Sequence, residues 1–404
     1  MKKKNNLKII SIVSIVTIML LISCSPDTTP SLYSDKDGGA TPVITSMEPA
    51  QGLAGVTEIT ISGENFSTEI SNNFVYFGPL PATIISASEN ELRVLAPDLV
   101  KDSIQVKVAV SGVEKFSDFK LYNLDAAVSE VYPFLGFQQP YAVTSDELGN
   151  IYFSLTEAGA GKGVKKITPD GELVDFAPKG GETFYFGLKY KTGGILYGVR
   201  GVRAIFEITE GNAPKTYAVL DNGTSMFDLD FDKNGNIWTA GKGGKIYRVT
   251  PDKDIKSFEF ADNVSSLRIF NDYLYLAVKS EISQDIIRLP IVSSDSLGAA
   301  EIYFPFSANY GFEILDMQAI TFANDGQLYI GTDGLNPIIY VNADGTYGYW
   351  YENLVSPKII NFGWSTGVTL YAVREEFIGS GIETTQTIYT INMEKSGAPE
   401  FGRD

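Results

Sequence analysis

Short segments in which hydrophobic and polar residues alternate follow one another from residue 42 to about residue 395, separated by turns rich in glycine, asparagine and aspartate. Alternation with a period of two predicts β-strands with one buried face. The 22 tyrosines and 24 phenylalanines also favour strands over helices. At 404 residues the chain is too long for one ordinary domain. We therefore predict an all-β protein with more than one domain.

An aromatic residue on an inner strand recurs six times at intervals of 37 to 54 residues, at Tyr152, Tyr197, Trp238, Tyr275, Tyr329 and Tyr371. A period of about 40–50 residues in an all-β pattern is typical of a β-propeller, with one four-stranded blade per repeat. The repeats predict a six-bladed propeller over residues 126–395. Because propellers serve as enzymes, glycan binders and docking platforms, this architecture leaves the activity open.

The blades share a recurring turn between their first two strands, as in Asp146–Asn150 and Asp232–Asn236. We interpret these as hairpin turns in which the aspartate caps the backbone, rather than as calcium loops, because an oxygen cage needs six or more ligands. The last blade ends at its third strand, 387–392, so we expect residues 127–132 to supply its outer strand and close the ring. The whole pattern resembles the NHL and SMP-30-like six-bladed propellers.

Residues 42–124 contain about seven short strands without helical periodicity, which predicts an immunoglobulin-like sandwich. The runs Pro42–Pro49, Thr60–Phe66 and Val75–Gly78, with Ala96-Pro97, resemble the IPT/TIG domain. This resemblance implies a spacer or a contact module. The predicted fold class is thus an all-β chain with an immunoglobulin-like sandwich followed by a six-bladed β-propeller.

Residues 1–23 have the form of a secretory signal, with a basic start and an apolar stretch from Ile9 to Ile22. The sequence Leu21-Ile22-Ser23-Cys24 resembles the bacterial lipobox, which implies lipidation at Cys24. Residues 24–41 are polar and rich in proline, serine and threonine, as in a flexible tether. Ser25 is not the aspartate that signals inner-membrane retention. We therefore expect a lipid-anchored protein of the bacterial outer membrane, exposed at the surface and held by its lipid alone.

Composition excludes several kinds of chemistry. Loss of residues 1–23 removes four lysines and no acidic residue, which takes the formal net charge from −17 to −21 and makes nucleic-acid binding implausible. The sequence contains no histidine, which excludes Ser-His-Asp and Cys-His catalysis and histidine-ligated zinc. Cys24 is its one cysteine, so there is no disulfide. We predict no cofactor, no metal and no catalytic residue.

The loops that crowd one face of a propeller around its axis are the expected place for a ligand. The ligand-binding candidates in these loops are Tyr185, Arg200, Arg203, Asp316, Trp364 and Arg374. The same loops also contain Phe184, Phe186, Lys242, Tyr310, Phe312, Glu375 and Glu376. Exposed aromatic faces beside hydrogen-bonding side chains suit sugar rings, although each aromatic could instead pack between blades.

Three functions follow from these observations. The first is a surface lipoprotein that binds an extracellular ligand without catalysis, most plausibly a glycan. The second is an interaction scaffold whose partner is an envelope protein. The third is a metal-dependent lactonase-like hydrolase, implied by the SMP-30 resemblance. In that family a glutamate that binds the cation precedes the first inner strand, but here the segment is Phe137-Gln138-Gln139-Pro140.

Overall fold

The computed structural model describes residues 39–312 and 314–404, which form two compact units. The first unit comprises residues 39–50, 58–95 and 103–122, and the second comprises residues 123–404 with the segments 51–57 and 96–102. The helices of the described ranges are one α-helix, α1 (Phe306–Tyr310), and one 3₁₀ turn at Ile70–Asn72. The chain is all-β, as its alternating pattern predicts.

The residues before the propeller form two sheets. Their strands are β1 (Val43–Glu48), β2 (Gly52–Leu53), β3 (Glu58–Glu64), β4 (Asn73–Phe77), β5 (Leu80–Pro81), β6 (Thr83–Ala87), β7 (Glu91–Leu95), β8 (Lys101–Val110) and β9 (Lys120–Asp125). The strand orders are β1-β3-β7-β6 and β2-β9-β8-β4-β5. Alternate residues are buried, such as Ile59 and Ile61 in β3 and Val106 and Val108 in β8. The predicted immunoglobulin-like sandwich is confirmed.

The described part of the propeller contains six sheets of four or five strands, and the predicted six-bladed propeller is confirmed. Strand β10 (Val128–Glu130) precedes the first blade. Blade 1 consists of β11 (Gln138–Ser145), β12 (Ile151–Glu157), β13 (Ala160–Ile167) and β14 (Leu173–Ala177). Blade 2 consists of β15 (Gly187–Lys191), β16 (Ile195–Val199), β17 (Ala204–Thr209) and β18 (Lys215–Val219). Blade 3 consists of β19 (Ser225–Phe231), β20 (Ile237–Lys242), β21 (Lys245–Val249) and β22 (Ile255–Glu259).

The remaining blades follow the same plan with small additions. Blade 4 consists of β23 (Asn263–Phe270), β24 (Tyr273–Lys279), β25 (Gln284–Ser293), β26 (Ser296–Leu297) and β27 (Glu301–Phe304). Blade 5 consists of β28 (Met317–Phe322), β29 (Leu328–Thr332), β30 (Ile338–Val341) and β31 (Tyr347–Tyr349). Blade 6 contains β32 (Ile359–Trp364), β33 (Thr369–Arg374) and β36 (Thr387–Asn392), while β34 (Phe377–Gly379) and β35 (Ile382–Thr384) pair as a separate hairpin.

Blade 6 is completed by β10, which pairs antiparallel with β36 as its outermost strand. Asn392 N–H donates to the Ala127 carbonyl at 2.9 Å, and Val131 N–H donates to the Ile388 carbonyl at 2.9 Å. The predicted closure is confirmed. It joins the two sequence ends of the propeller and pairs a strand edge that would otherwise be open.

The first strand of each blade lies at the centre of the ring, where its free edge faces the next blade. Side chains of one blade satisfy backbone donors of its neighbour: Leu267 N–H donates to Asp228 at 3.0 Å, and Ile320 N–H donates to Ser266 at 3.1 Å. Val143 N–H likewise donates to Asn361 at 2.9 Å. Because a buried N–H without a partner is costly, these side chains hold adjacent blades together.

The recurrent aspartate turns make the same set of hydrogen bonds in two blades. Asp232 accepts from the backbone N–H groups of Asn234 and Asn236, at 2.9 and 3.0 Å, and from the indole of Trp238 at 2.9 Å. Asp146 accepts likewise from the Tyr152 hydroxyl at 2.9 Å. The interpretation of these motifs as capped hairpin turns is confirmed. The prediction that the six recurrent aromatics lie on an inner strand is corrected: they lie on the second strand of each blade and are buried between blades rather than at the axis.

Candidate functional site

Five of the six first strands of the blades carry a local irregularity, which lies at the second or third residue of four strands and at the fifth residue of β11. All six are described in full, and the irregularity is a β-bulge in each of the five. The extra residues are Ala142, Phe227, Ser265, Gln318 and Ile360. A bulge re-aims a side chain and bends its strand. All five extra residues line one cavity on the propeller axis.

This axial cavity has a volume of about 430 Å³. Besides the bulged residues, loops that precede the first strands or follow the second strands complete its wall. The other lining residues are Tyr141, Phe184, Tyr185, Phe186, Asp228, Lys242, Ser266, Lys358, Asn361 and Glu375. The volume and the mixture of aromatic and polar groups are typical of a small-molecule site.

Four aromatic side chains from blades 1 to 3 form a continuous aromatic arc, defined as Tyr141, Phe184, Phe186 and Phe227. Tyr141 stacks on Phe184 with ring centroids 4.0 Å apart and an interplanar angle of 14°. Phe184 meets Phe186 edge-on at 5.0 Å, and Phe186 meets Phe227 at 5.2 Å. Phe186 is 42% exposed, so the arc presents an aromatic face to a ligand.

Polar groups of blades 6 and 3 line the cavity beside the arc. Lys358 and Glu375 form an ion pair at 2.6 Å. Asn361 donates to the Phe186 carbonyl at 3.3 Å, which links the polar wall to the arc. Lys242 lies over the Phe227 ring, 5.4 Å from its centroid. Burial, and secondarily the charge of Glu375, raise the pKa of Tyr141, so its hydroxyl is a neutral hydrogen-bonding group.

Asp228 is a buried carboxyl at the inner side of the cavity. One oxygen accepts from Leu229 N–H at 2.8 Å, and the other accepts from the Ser266 hydroxyl at 2.7 Å as well as from Leu267 N–H. Burial raises the pKa of Asp228 above its ordinary value, although nearby Lys189 and these hydrogen bonds oppose the rise. Both oxygens are thus engaged by the protein itself, and this carboxyl positions blades 3 and 4.

Beyond Asp228 the axis is filled by buried charges, here called the axial ion network: Lys189, Asp230, Arg268, Glu400 and Arg403. Arg268 pairs with Asp230 and lies 3.7 Å from Glu400, while Lys189 lies 3.5 Å from Glu400. Burial by itself would raise the pKa of Glu400, but Lys189, Arg268 and Arg403 outweigh burial and lower it to about 2.

Residues 393–404 carry two members of this network and lie across the side of the propeller opposite the cavity. Ala398 N–H donates to the Phe322 carbonyl and Thr192 N–H donates to the Gly402 carbonyl, both at 2.9 Å. Arg403 donates to the Trp364 carbonyl at 2.6 Å. Arg268 and Asp230 are each 1% exposed, so among the described residues buried side chains fill the axis below the cavity. The axial cavity is therefore blind and opens on one face.

Two of the candidates from the sequence, Tyr185 and Trp364, are fully buried at 0% exposure. Tyr185 borders the cavity, but its ring packs in the core between blades 1 and 2. Trp364 packs in the core between blades 5 and 6 and donates its indole N–H to Thr321 at 2.9 Å. The prediction that Trp364 binds a ligand is corrected, because its ring has no accessible face.

Arg374 and Arg200 also have structural partners. Arg374 is buried and donates to the Thr385 carbonyl and to the Tyr389 hydroxyl, so its assignment to a ligand is corrected. The guanidinium of Arg200 lies 4.3 Å from the Phe206 ring centroid and 3.8 Å from Glu182, outside the cavity lining. The structure thus places both side chains away from the axial cavity.

Arg203 and Asp316 lie outside the axial cavity as well. Arg203 is exposed and donates to the Leu220 carbonyl at 3.3 Å. Asp316 pairs with Lys279 at 2.6 Å and accepts from Gln284 at 2.9 Å. Other residues of the same predicted loops do line the cavity, namely Phe184, Phe186, Lys242 and Glu375.

Sequence reasoning missed the bulged residues and Tyr141. The signal that could have found them is their common place, at or just before the continuous run of buried residues in each of these first strands. Gln138 and Gln139, where the SMP-30 resemblance expects a cation ligand, bond instead to Glu157 at 3.1 Å and Thr156 at 3.0 Å. Among residues 39–312 and 314–404 no group of three acidic or thiol side chains has the geometry of a metal site.

Cys24, the predicted lipidation site, lies outside the described residues, as do the signal sequence and most of the tether. Over the described ranges no helix has the length and apolar character required to span a bilayer.

Comparison with known proteins identifies one domain and the propeller fold. Residues 42–123 match the sequence model of the IPT/TIG domain. The chain contains an IPT/TIG domain. No curated protein matches the sequence.

Several solved structures share the fold. An auxiliary nutrient binding protein from Bacteroides thetaiotaomicron is 11% identical with a TM-score of 0.52, covering 87% of this chain and 97% of its own. A putative phosphatase from the same organism is 12% identical with a TM-score of 0.56, covering 90% and 100%. A putative gluconolactonase is 14% identical with a TM-score of 0.51, covering 67% and 93%. At these identities the similarity concerns the fold alone.

Proposed function

We propose that this protein is a receptor for an extracellular saccharide, which it binds in the axial cavity without chemical conversion. The observation that carries the proposal is the aromatic arc facing a polar wall across a blind cavity of about 430 Å³. Such a cavity can take up a ligand from one side and release it unchanged to the same side.

The two walls match the two kinds of surface on a sugar ring. The C–H groups on one face of a pyranose pack against aromatic rings, whose faces carry partial negative charge. The hydroxyl groups at the ring edge then point to Gln318, Asn361 and Ser265, which lie on the opposite wall. Amide and hydroxyl side chains both donate and accept, as sugar hydroxyls do. This complementarity favours a saccharide over a purely apolar ligand.

The carboxylates in the cavity wall support binding rather than hydrolysis. Glycoside hydrolysis ordinarily requires two carboxyl groups free to act as acid and as base or nucleophile. Of the described lining residues, Asp228 and Glu375 are the two carboxylates, and the first bonds to the protein while the second pairs with Lys358. The lactonase-like alternative rests on fold similarity, and chelator-sensitive turnover of lactones would favour it.

The proposed place of action is the cell surface. The lipobox at Cys24 and the polar tether over residues 24–41 would anchor the protein in an outer membrane. In the sequence the IPT/TIG domain lies between the tether and the propeller. The auxiliary nutrient binding protein that shares the fold supports a binding role for the propeller. Replacement of Cys24 by alanine should release the protein from membranes and remove it from the reach of external protease on intact cells.

Affinity electrophoresis tests the binding proposal. The protein from Ser25 onward would be run through native gels that contain one polysaccharide each, from a panel of neutral and acidic plant, fungal and animal glycans. Retardation by at least one neutral polysaccharide is expected. If no glycan retards the protein while an envelope protein is captured stoichiometrically, the scaffold alternative replaces the proposal.

A further inference from the structure

A second cavity of about 1050 Å³ lies beside the axial cavity, between the loops of blades 3 and 4. Phe227, Lys242 and Ser265 line both cavities, so the two are adjacent. We call the second cavity the blade 3–4 groove. Its floor and sides come from residues 261–264, which lead into and begin β23, and from residues 279–283, which comprise the end of β24 and the turn before β25.

We propose that the blade 3–4 groove is an extension subsite that binds the further units of a neutral saccharide chain whose end lies in the axial cavity. This inference rests on the proposed function of the axial cavity. The axial ion network and residues 393–404 close the axis, so a chain cannot thread through the propeller. A chain whose end is in the cavity must leave over the rim, and the groove begins at Phe227 and Lys242.

The chemistry of the groove resembles that of the cavity in a more open form. Asn263, Ser280 and Ser283 offer amide and hydroxyl groups, while Ile282, 82% exposed, offers an apolar platform. Saccharide chains present the same alternation of hydroxyl groups and apolar C–H faces. A groove open to solvent suits a chain that is held along its length rather than enclosed.

The charges of the groove favour a neutral chain. Asp262, Glu281 and Asp285 line it, against the two cations Lys242 and Lys279. Lys279 already pairs with Asp316 at 2.6 Å. An acidic saccharide would therefore meet an excess of negative charge, in a protein whose formal net charge is −17.

Calorimetry with oligosaccharides of defined length tests the inference. The probes are cello-, xylo-, malto- and laminari-oligosaccharides of two to eight units, added to the protein from Ser25 onward. Within the series that binds, we expect affinity to rise at least tenfold between two and about five units and then to level off. The double variant Asn263→Ala/Ile282→Ala should bind the shortest member as the original protein does and lose most of the increase with length.

Leu148→Ala serves as the control, because Leu148 is 73% exposed in the turn between β11 and β12 and lines neither cavity. It should leave the whole length series unchanged. Equal affinity for short and long probes, or an unchanged length dependence in the double variant, overturns the extension subsite and leaves the axial site in place. If no probe binds, the extension subsite and the proposed saccharide function fail together.

Discussion

In the first strands of five blades, one extra residue decides which side chain reaches the propeller axis. Alternation along a strand sends successive side chains to opposite faces, and a bulge shifts that register by one. In blade 3 the bulge turns Phe227 into the cavity while Met226 and Leu229 stay in the core. The cavity wall is thus built from single-residue departures from an otherwise regular sheet.

Replacement of Phe227 by alanine should weaken binding of the retarding polysaccharide by about tenfold. An aromatic contact contributes about 0.5–1.5 kcal/mol beyond its buried area, and about 1.4 kcal/mol corresponds to a factor of ten. Phe119→Ala is the matched control, since Phe119 is 48% exposed and does not belong to the propeller. Affinity electrophoresis of both variants checks this; equal retardation of Phe227→Ala and the original protein would remove Phe227 from the site.

Individual ligand-binding residues were the hardest feature to predict from the sequence. Trp364 and Phe186 are both large aromatics close to an inner strand, and the sequence offers the same reason to choose either. The bulge at Ile360 fixes the register of β32, and Trp364 then faces the core of blades 5 and 6. Phe186 precedes β15, whose pairing with β16 is regular, and lies in the open mouth. The register of a strand at a bulge depends on how it pairs with the neighbouring strand, and the local sequence does not specify that pairing.

At the scale of the element, each hairpin turn is tied to the strand that follows it. Asp232 holds the turn through backbone N–H groups and holds β20 through the Trp238 indole. Because this motif is local, residue types at fixed spacing were enough to predict the turn and the blade. The six recurrent aromatics also follow the blade repeat. Because each of them is buried between blades, a large aromatic recurs once per blade and makes the period visible in the sequence.

Asp232→Ala should destabilise the protein by about 3 kcal/mol. The change leaves the indole N–H of the fully buried Trp238 and the side chain of Asn236 without their acceptor, and each such donor costs about 1–3 kcal/mol. Asp252→Ala, in an exposed turn of the same blade, should have little effect. Chemical denaturation of the two variants measures the difference. Similar midpoints for both would show that the aspartate turn contributes no more than an ordinary loop.

The closing strand β10 offers a second test at this scale. Hydrogen-bonded pairs alternate along an antiparallel ladder, so Ser129, midway between Ala127 and Val131, faces Thr390 in a hydrogen-bonded position. Ser129→Pro removes that donor and should cost roughly 2–3 kcal/mol. Ser129→Ala keeps the ladder and should cost much less. If thermal unfolding shows the two variants to be equally stable, closure by β10 does not hold the ring together.

At the scale of the whole molecule, the axial ion network joins residues 393–404 to the inner strands of blades 2, 3 and 4. Five buried charged groups meet at the axis, and the attraction between the opposite charges offsets the cost of burying each. Sequence alone could not predict this, because Lys189, Asp230, Arg268 and Glu400 are far apart along the chain. The propeller could be predicted because each blade is formed by residues close together in the sequence. The axial ion network and the axial cavity could not, because they form where residues of different blades meet.

The network predicts a defined acid sensitivity. Burial would raise the pKa of Glu400, but the surrounding cations lower it from 4.5 to about 2. Because the pKa of Glu400 is lower in the folded protein than in the unfolded chain, the ionised carboxylate stabilises the fold. This stabilisation is complete above about pH 4.5 and is lost as pH falls toward 2. A lowering of this size corresponds to about 3 kcal/mol.

Glu400→Gln should therefore be less stable than the original protein at neutral pH by about 3 kcal/mol. Its unfolding free energy should also fall less than that of the original protein as pH decreases from about 4.5 to 2. The exposed Glu352→Gln is the control. Unfolding free energies measured from pH 7 down to pH 2 provide the comparison. A parallel decline in Glu400→Gln and the original protein would assign the acid sensitivity to other carboxylates.

A crystal structure with an oligosaccharide from the retarding polysaccharide would show whether the axial cavity binds a saccharide. We expect a sugar ring packed on Phe186 and Phe227, its hydroxyl groups hydrogen-bonded to Gln318 or Asn361, and further units over the blade 3–4 groove. Sugar bound to the outer strands of the blades or to the IPT/TIG domain, with the axial cavity empty, would contradict this expectation.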